Sequence, residues 1–318
     1  MTELPVVVVA DPIDPDALET LRAGPCRVVD VSRAPDQLAG QLPSAWGLIV
    51  RSRTKVTAEL IGRAPRLGLI ARAGVGLDNV DVAAARARQV QVVNVPQAAT
   101  VSVAELTIAL YLLLVRELLT PIASTKAGQW ERGLHGHELQ GRTVGFVGYG
   151  RIAREVARRL GPFGVRTLAY DPYVTAAPDG TPLVELDRLL AESDIVSVHA
   201  ALTEQSRHLL DARALAKMRR GAFLVNVARG ALVDEAAVVD ALRSGQLAGV
   251  ALDVFEREPP ARPELLSDPR VVATPHLGAS TEEAQRRAGA EVVAEVLRVL
   301  RERPPAEGDR PGVAVGVR

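Results

Sequence analysis

The 318-residue chain has a single cysteine, Cys26, so it can form no intramolecular disulfide and no cysteine-rich metal site. A lone thiol fits most simply in a core. Aromatic residues are scarce at 3%, so the 47% of hydrophobic residues must pack mainly through Val, Leu, Ile and Ala. Net charge is also missing, because 38 basic residues balance 38 acidic ones. That balance argues against nucleic acid or an anionic membrane as the main partner. No apolar run approaches bilayer length, and the stretch 106–115 is too short to span. Residues Met1 to Pro5 carry no basic region before the first apolar run, unlike a secretory leader. A soluble, cytoplasmic protein without a metal is expected.

Short Val/Ile-rich runs alternate with stretches of helical period along the whole chain, the pattern of parallel sheets with crossover helices. The first predicted strands are 6–10, 27–31, 48–50, 67–70 and 92–94, with helices at 14–22, 35–41, 58–63 and 80–88. Helices follow at 102–117 and 121–128. A second set of strands runs 143–147, 166–170, 195–199, 223–226, 250–252 and 271–273, and a final amphipathic helix covers 282–301. A chain of this length is expected to form two domains. The last helix has no strand after it, so it is expected to pack back on the first domain. The fold class is therefore α/β: two Rossmann-like doubly wound parallel-sheet domains, one inserted into the other. The outer domain takes 1–97 plus 281–318, the inserted one 98–280, with a cleft hinged near Pro96 and Ser280.

After its two leading helices, the inserted segment reads Val144-Gly145-Phe146-Val147-Gly148-Tyr149-Gly150-Arg151-Ile152-Ala153, in the middle of the chain. Gly148 permits a tight turn, Gly150 lets the backbone approach a pyrophosphate, and the N–H groups of Arg151 and Ile152 face that anion. Asp171 follows the next predicted strand, 21 residues after Gly150, where a carboxylate can take ribose hydroxyls. Strand, turn, helix and acid agree on a dinucleotide site.

Three later segments place polar residues just past predicted strands, where open α/β sheets hold ligands. They are Asn226-Val227-Ala228-Arg229-Gly230, Asp253-Val254-Phe255-Glu256-Arg257-Glu258, and Thr274-Pro275-His276-Leu277-Gly278. Singly, Arg229 reads as a surface cation, Glu258 as a loop charge, His276 as a core histidine and Asp253 as a cap. Together they suit hydride transfer between a nicotinamide and a 2-hydroxy acid. A guanidinium holds the substrate carboxylate, imidazole exchanges the hydroxyl proton, and a carboxylate orients the ring.

With these segments in view, the chain resembles the D-isomer-specific 2-hydroxyacid dehydrogenases, and within them the 3-phosphoglycerate dehydrogenases. The resemblance runs from Ile49-Val50-Arg51-Ser52-Arg53-Thr54-Lys55-Val56-Thr57 through Ala71-Arg72-Ala73-Gly74-Val75-Gly76-Leu77-Asp78-Asn79-Val80-Asp81 to His276-Leu277-Gly278-Ala279-Ser280-Thr281. It implies NAD as cofactor and Arg229, Glu258 and His276 as the catalytic set. It places Asp171 on the adenosine ribose and Asp253 near the nicotinamide carboxamide. It extends the cofactor site to His199, Ala200, Val227, Ala228, Arg229, His276, Gly278 and Ala279. In the first domain, the turn at Val75 and Gly76 offers N–H groups to a carboxylate. Arg51, Arg53 and Arg72 crowd the same rim, more cation than one carboxylate needs, which favours a phosphorylated substrate. In relatives acting on phosphoglycerate, a basic residue matching Arg132 in Trp130-Glu131-Arg132 reaches over from a neighbouring subunit.

The pattern departs from the family at Ala99, Ala153 and Ala201, where Asn, Gly and Pro are usual. The chain stops about 17 residues after its last predicted helix, the expectation for a short form without a serine-binding module. The leading expectation is NAD-dependent oxidation of 3-phospho-D-glycerate, the first step of serine biosynthesis, or of a close phosphorylated analogue. A glyoxylate or hydroxypyruvate reductase is the alternative, and would need less positive charge at Arg51, Arg53 and Arg132. An NAD(H)-sensing scaffold is a remote third reading. A homodimer is expected, with Leu106, Leu110, Leu113 and Leu114 as either its apolar face or intrachain core.

Overall fold

The computed structural model describes residues 4–130, 132–133 and 135–302. Two compact units form: one runs through Ala99 and resumes at Ala279, while the other is Thr100–Gly278. The second unit is thus inserted into the first along the chain.

In the first unit the strands are β1 (Val6–Val9), β2 (Arg27–Asp30), β3 (Ala45–Val50), β4 (Leu69–Arg72) and β5 (Gln91–Asn94). The helices are α1 (Pro15–Arg22), α2 (Leu38–Gln41), α3 (Ala58–Gly62) and α4 (Val82–Ala87). The all-parallel sheet has the order β2-β1-β3-β4-β5. The order reverses direction between β1 and β3, which makes the loops after these strands the natural ligand crevice. β1 and β3 are buried throughout, as continuous apolar strands covered on both faces must be. One face carries Val8, Leu48, Ile70 and Ile61. The other carries Val7, Ile49, Leu69 and Leu21 together with Val292, Val293 and Val296 of the returning chain. The last helix therefore packs against the first sheet, as its amphipathic pattern predicts. Cys26 joins this core, and burial raises its thiol above the ordinary range.

The second unit begins with α5 (Thr100–Val115) and α6 (Leu119–Lys126). Its strands are β6 (Thr143–Val147), β7 (Arg166–Tyr170), β8 (Ile195–Val198), β9 (Ala222–Asn226), β10 (Leu247–Leu252) and β11 (Val271–Ala273). Between them lie α7 (Arg151–Leu160), α8 (Leu186–Glu192), α9 (Ala212–Lys217), α10 (Glu235–Arg243) and α11 (Pro263–Leu266), and α12 (Glu282–Glu302) then completes the first unit. The sheet order is β11-β10-β9-β8-β6-β7, again all parallel, with the reversal between β6 and β8. α5 packs on α7 and under β9 and β10. Leu110 and Leu114 are buried there, so these two belong to the intrachain core and not to an exposed apolar face. Among the described residues no single helix is long and apolar enough to cross a membrane.

Candidate active site

Register aligns the ends of three neighbouring strands: Leu252 of β10 pairs with Asn226 of β9 and with Ala273 of β11. The loops carrying Arg229, Glu258 and His276 therefore leave one edge of the sheet at one level. Nδ1 of His276 lies 3.0 Å from Oε2 and 3.1 Å from Oε1 of Glu258. A carboxylate facing Nδ1 keeps the proton on that nitrogen and leaves Nε2 to exchange protons elsewhere.

His276 adopts φ +55°, a left-handed conformation that costs a residue with a Cβ about 1–2 kcal/mol. Asp253 offsets that cost. It is fully buried, and its carboxylate accepts the Thr274 hydroxyl (2.6 Å) and the N–H groups of Leu277 (2.7 Å) and Gly278 (2.8 Å). The His276 N–H donates to the Asp253 carbonyl at 2.9 Å. Asp253, which the resemblance places near the nicotinamide, thus organises the histidine turn.

On the other flank, Asn226 holds the arginine turn. Its Nδ2 donates to the Arg229 carbonyl (2.9 Å), and its Oδ1 accepts the Ala228 N–H (3.0 Å). Arg229 Nη1 donates to the Ala228 carbonyl at 2.6 Å. Glu235 and Glu256 clasp each other's backbone: the Glu235 N–H donates to Glu256 Oε1 (3.0 Å) and the Glu256 N–H to Glu235 Oε1 (2.7 Å). Burial holds the Glu235 carboxyl above the usual range, against the opposing pull of the Glu256 N–H. This clasp fixes the loop two residues before Glu258, and sequence reasoning missed it.

The glycine turn occupies the reversal point of the same sheet. Gly148 has φ +88°, and a Cβ there would stand 2.5 Å from the Ala200 nitrogen, so no other residue fits without displacing backbone. Gly150 is the reverse case: a Cβ would meet nothing within 4 Å, and the main chain faces open space. Gly150 is also the N-cap of α7, without a side-chain cap, which leaves the first N–H groups of the helix for an anion. Ala153, where the family has glycine, is fully buried in α7. Asp171 accepts the Tyr149 N–H (2.8 Å) and the Tyr173 N–H (2.9 Å). Each oxygen keeps lone-pair capacity for a hydroxyl. These residues fit a dinucleotide. The His199 ring is held by Ser197 Oγ at 2.9 Å and packs on Phe146. Burial pushes the imidazole down to about 3, so it stays neutral, and the His199–Ala200 backbone borders the glycine turn.

Residues 108–278 match the family model described as D-isomer specific 2-hydroxyacid dehydrogenase, NAD binding domain. The chain belongs to this family. It is 44% identical over 299 residues to the hydroxypyruvate reductase of Thermotoga maritima, covering 92% of this chain and 98% of that one. It is 47% identical over 302 residues to the D-3-phosphoglycerate dehydrogenase of Mycobacterium tuberculosis, covering 93% of this chain. The chain spans 57% of the length of that relative. Among solved structures, the Aquifex aeolicus D-lactate dehydrogenase complexed with NAD and lactic acid superposes with a TM-score of 0.80 at 30% identity, over 93% of this chain and 95% of that one. The protein is an NAD-dependent D-2-hydroxyacid dehydrogenase.

In the first unit of this dehydrogenase, the loops after β1 and β3 meet through Asp11, another residue sequence reasoning missed. Asp11 accepts the N–H groups of Arg51 (2.7 Å) and Thr54 (3.1 Å), the Thr54 hydroxyl (2.6 Å) and Arg53 Nε (3.2 Å). Burial would raise its pKa, but these donors and the Arg53 charge outweigh it and hold the carboxyl below the usual range. Arg53 Nη2 also donates to the carbonyls of Ala10 (2.9 Å) and Ser32 (2.7 Å). Arg53, read from sequence as a substrate cation, is thus bound into the scaffold. Arg51 Nη1 reaches the Pro12 carbonyl at 3.3 Å, beside an open concavity of about 520 Å³ also lined by Arg286, Asp14 and Glu282.

Asn94 Nδ2 holds the Val75 carbonyl at 2.6 Å, and the Arg72 guanidinium occupies the space a side chain on Gly74 would need. Among the described residues, the N–H groups of Val75 and Gly76 donate to no protein acceptor. The Arg132 guanidinium stands 5.8 Å from the ring centre of exposed Trp130, with Glu131 between them outside the described residues.

Proposed function

We propose that the enzyme interconverts hydroxypyruvate and D-glycerate with NAD as hydride carrier. The observation that carries this choice over a phosphorylated substrate is the commitment of Arg53 to Asp11, Ala10 and Ser32. The rim then holds fewer cations for a second anionic group than the sequence suggests.

NAD, when bound, supplies or accepts the hydride; Gly150, Arg151, Ile152 and Asp171 hold it, with Val227, Ala228, Gly278 and Ala279 completing its surroundings. The protein's own part is proton and charge management. In reduction, His276 gives the Nε2 proton to the 2-oxo oxygen, and in oxidation it takes that proton back. Glu258 on Nδ1 stabilises the imidazolium and holds the ring. Arg229 binds the substrate carboxylate in a two-pronged pair. The Val75 and Gly76 N–H groups are a second carboxylate cradle, with Arg72 against the same turn. Cytoplasmic location and a homodimer belong to the same reading; exposed Trp130 supports the latter.

A specific observation favours the phosphorylated counterpart as a second reading: Arg51 and Arg286 line one concavity. Steady-state kinetics decide between the two. The first reading expects kcat/KM for hydroxypyruvate to equal or exceed that for 3-phosphohydroxypyruvate. It also expects Arg53→Ala to lower thermal stability while leaving the ratio of the two substrates unchanged. A tenfold preference for the phosphorylated acid, lost in Arg51→Ala or Arg132→Ala, would transfer the assignment to the second reading.

A further inference from the structure

The loop from Asp171 to Thr181 leaves the ribose end of the cofactor site and returns to the sheet, where the Val184 N–H meets the Ala169 carbonyl at 2.8 Å. One side chain closes it. Tyr149, the residue between the two glycines, is fully buried, and its hydroxyl donates to Asp179 Oδ2 at 2.6 Å and lies 2.7 Å from Thr181 Oγ1. Asp179 Oδ1 in turn accepts the Thr181 N–H at 3.2 Å. The same tyrosine donates its backbone N–H to Asp171 at the loop's other end. A buried phenol is an expensive choice for a position that needs only bulk, because its hydroxyl must find a partner. Here the partner is a carboxylate, which makes the bond charge-assisted.

We propose that Tyr149 is a positioning residue for cofactor recognition and selectivity. Its N–H sets the Asp171 carboxylate, and its hydroxyl latches the far end of the ribose-side loop through Asp179. With both ends fixed, Asp171 cannot swing aside to admit a 2′-phosphate, and the ribose meets a preformed acceptor. This inference rests on the reading of Asp171 as the ribose ligand.

The test is direct titration of NAD and NADP by quenching of protein fluorescence, with hydrogen exchange of the unliganded chain and steady-state kinetics alongside. Tyr149→Phe keeps the ring and the N–H and removes only the latch. It is expected to weaken NAD binding about three- to tenfold, to narrow the NAD-to-NADP ratio by a similar factor, and to speed exchange across 172–181. The kinetic change should fall on KM for NAD and not on kcat. Asp179→Ala should reproduce this, Asp179→Asn should largely restore it because an amide oxygen still accepts the phenol, and the double variant should be no worse than either single one. Asp171→Ala is the reference arm. If it weakens NAD while Tyr149→Phe and Asp179→Ala leave Kd and selectivity unchanged, the latch is overturned and the ribose reading survives. If Asp171→Ala is itself silent, both fall. A lower Tm with unchanged Kd also overturns the proposal, since that is what a purely structural hydrogen bond would give.

Discussion

Gly230 packs so closely on Phe255 that any side chain at Gly230 would overlap the Phe255 carbonyl. The contact ties the turn that ends in Arg229 to the loop that leads to Glu258. The clasp between Glu235 and Glu256 holds the same loop from its other side.

Gly230→Ala should therefore move both turns. Backbone atoms are the obstacle, so the cost is expected in the range of overpacked cores, about 1–3 kcal/mol, with a kcat loss beyond what the lower Tm explains. Calorimetry and kinetics well below Tm check this. Native activity in a destabilised variant would show that the contact serves folding only.

His276→Ala should lower kcat by roughly 10²–10⁴-fold while NAD affinity, measured by titration, changes little. A comparable loss of NAD affinity would mean that the histidine works through the cofactor site.

Glu258→Gln keeps a hydrogen-bond acceptor beside Nδ1 of His276 but removes the negative charge, and should lower kcat about ten- to a hundredfold with little change in NAD affinity. Unchanged kcat would separate the two residues functionally, despite their 3.0 Å contact.

NAD should be preferred over NADP by tens- to hundreds-fold. A 2′-phosphate about 4 Å from Asp171 would meet repulsion of order 4 kcal/mol at an effective dielectric near 20, an upper bound once water enters. Equal kcat/KM for the two cofactors would remove this role from Asp171.

Asp11 should make the first unit acid-sensitive. Its folded pKa lies below the unfolded value of 3.8, so its contribution is complete above that value and is lost as pH falls through the lower, folded pKa. Asp11→Asn should flatten the decline of the urea midpoint below pH 4. An unchanged acid limb would assign that sensitivity elsewhere.

What was legible in the chain follows from the range of the interactions involved. Gly148, Gly150 and Asp171 act through backbone conformation and strand-end position, which periodicity and short spacing report. Arg229, Glu258 and His276 follow three successive strands, so counting strands was enough to bring them to one edge. The direction of a long side chain was not legible. Arg53 turns to Asp11, 42 residues earlier, because β1 lies beside β3, and no local pattern encodes that neighbour. His199 enters the site only through the resemblance, and nothing in its local pattern foretells that its ring turns to Ser197, two residues back in β8. Leu110 and Leu114 share a helical face that serves a dimer or a core equally well in sequence, and only the packing of α5 under β9 and β10 separates the two. The apolar part of the Tyr149 side chain was predictable as core, whereas its hydroxyl's partner, 30 residues on, was not.

The return of α12 to the first sheet has a consequence for synthesis on the ribosome. Thr100–Gly278 is continuous, so the second unit has all its residues as soon as that stretch emerges. The first sheet is in a different position. The face bearing Val8, Leu48 and Ile70 is covered by residues made early, but the face bearing Val7, Ile49 and Leu69 waits for Val292, Val293 and Val296. Until then only α1, through Ala17 and Leu21, shields that face, and part of its row of valine, isoleucine and leucine side chains stays open on a parallel sheet, the kind of surface that nascent chains aggregate through. The unit begun first is finished last.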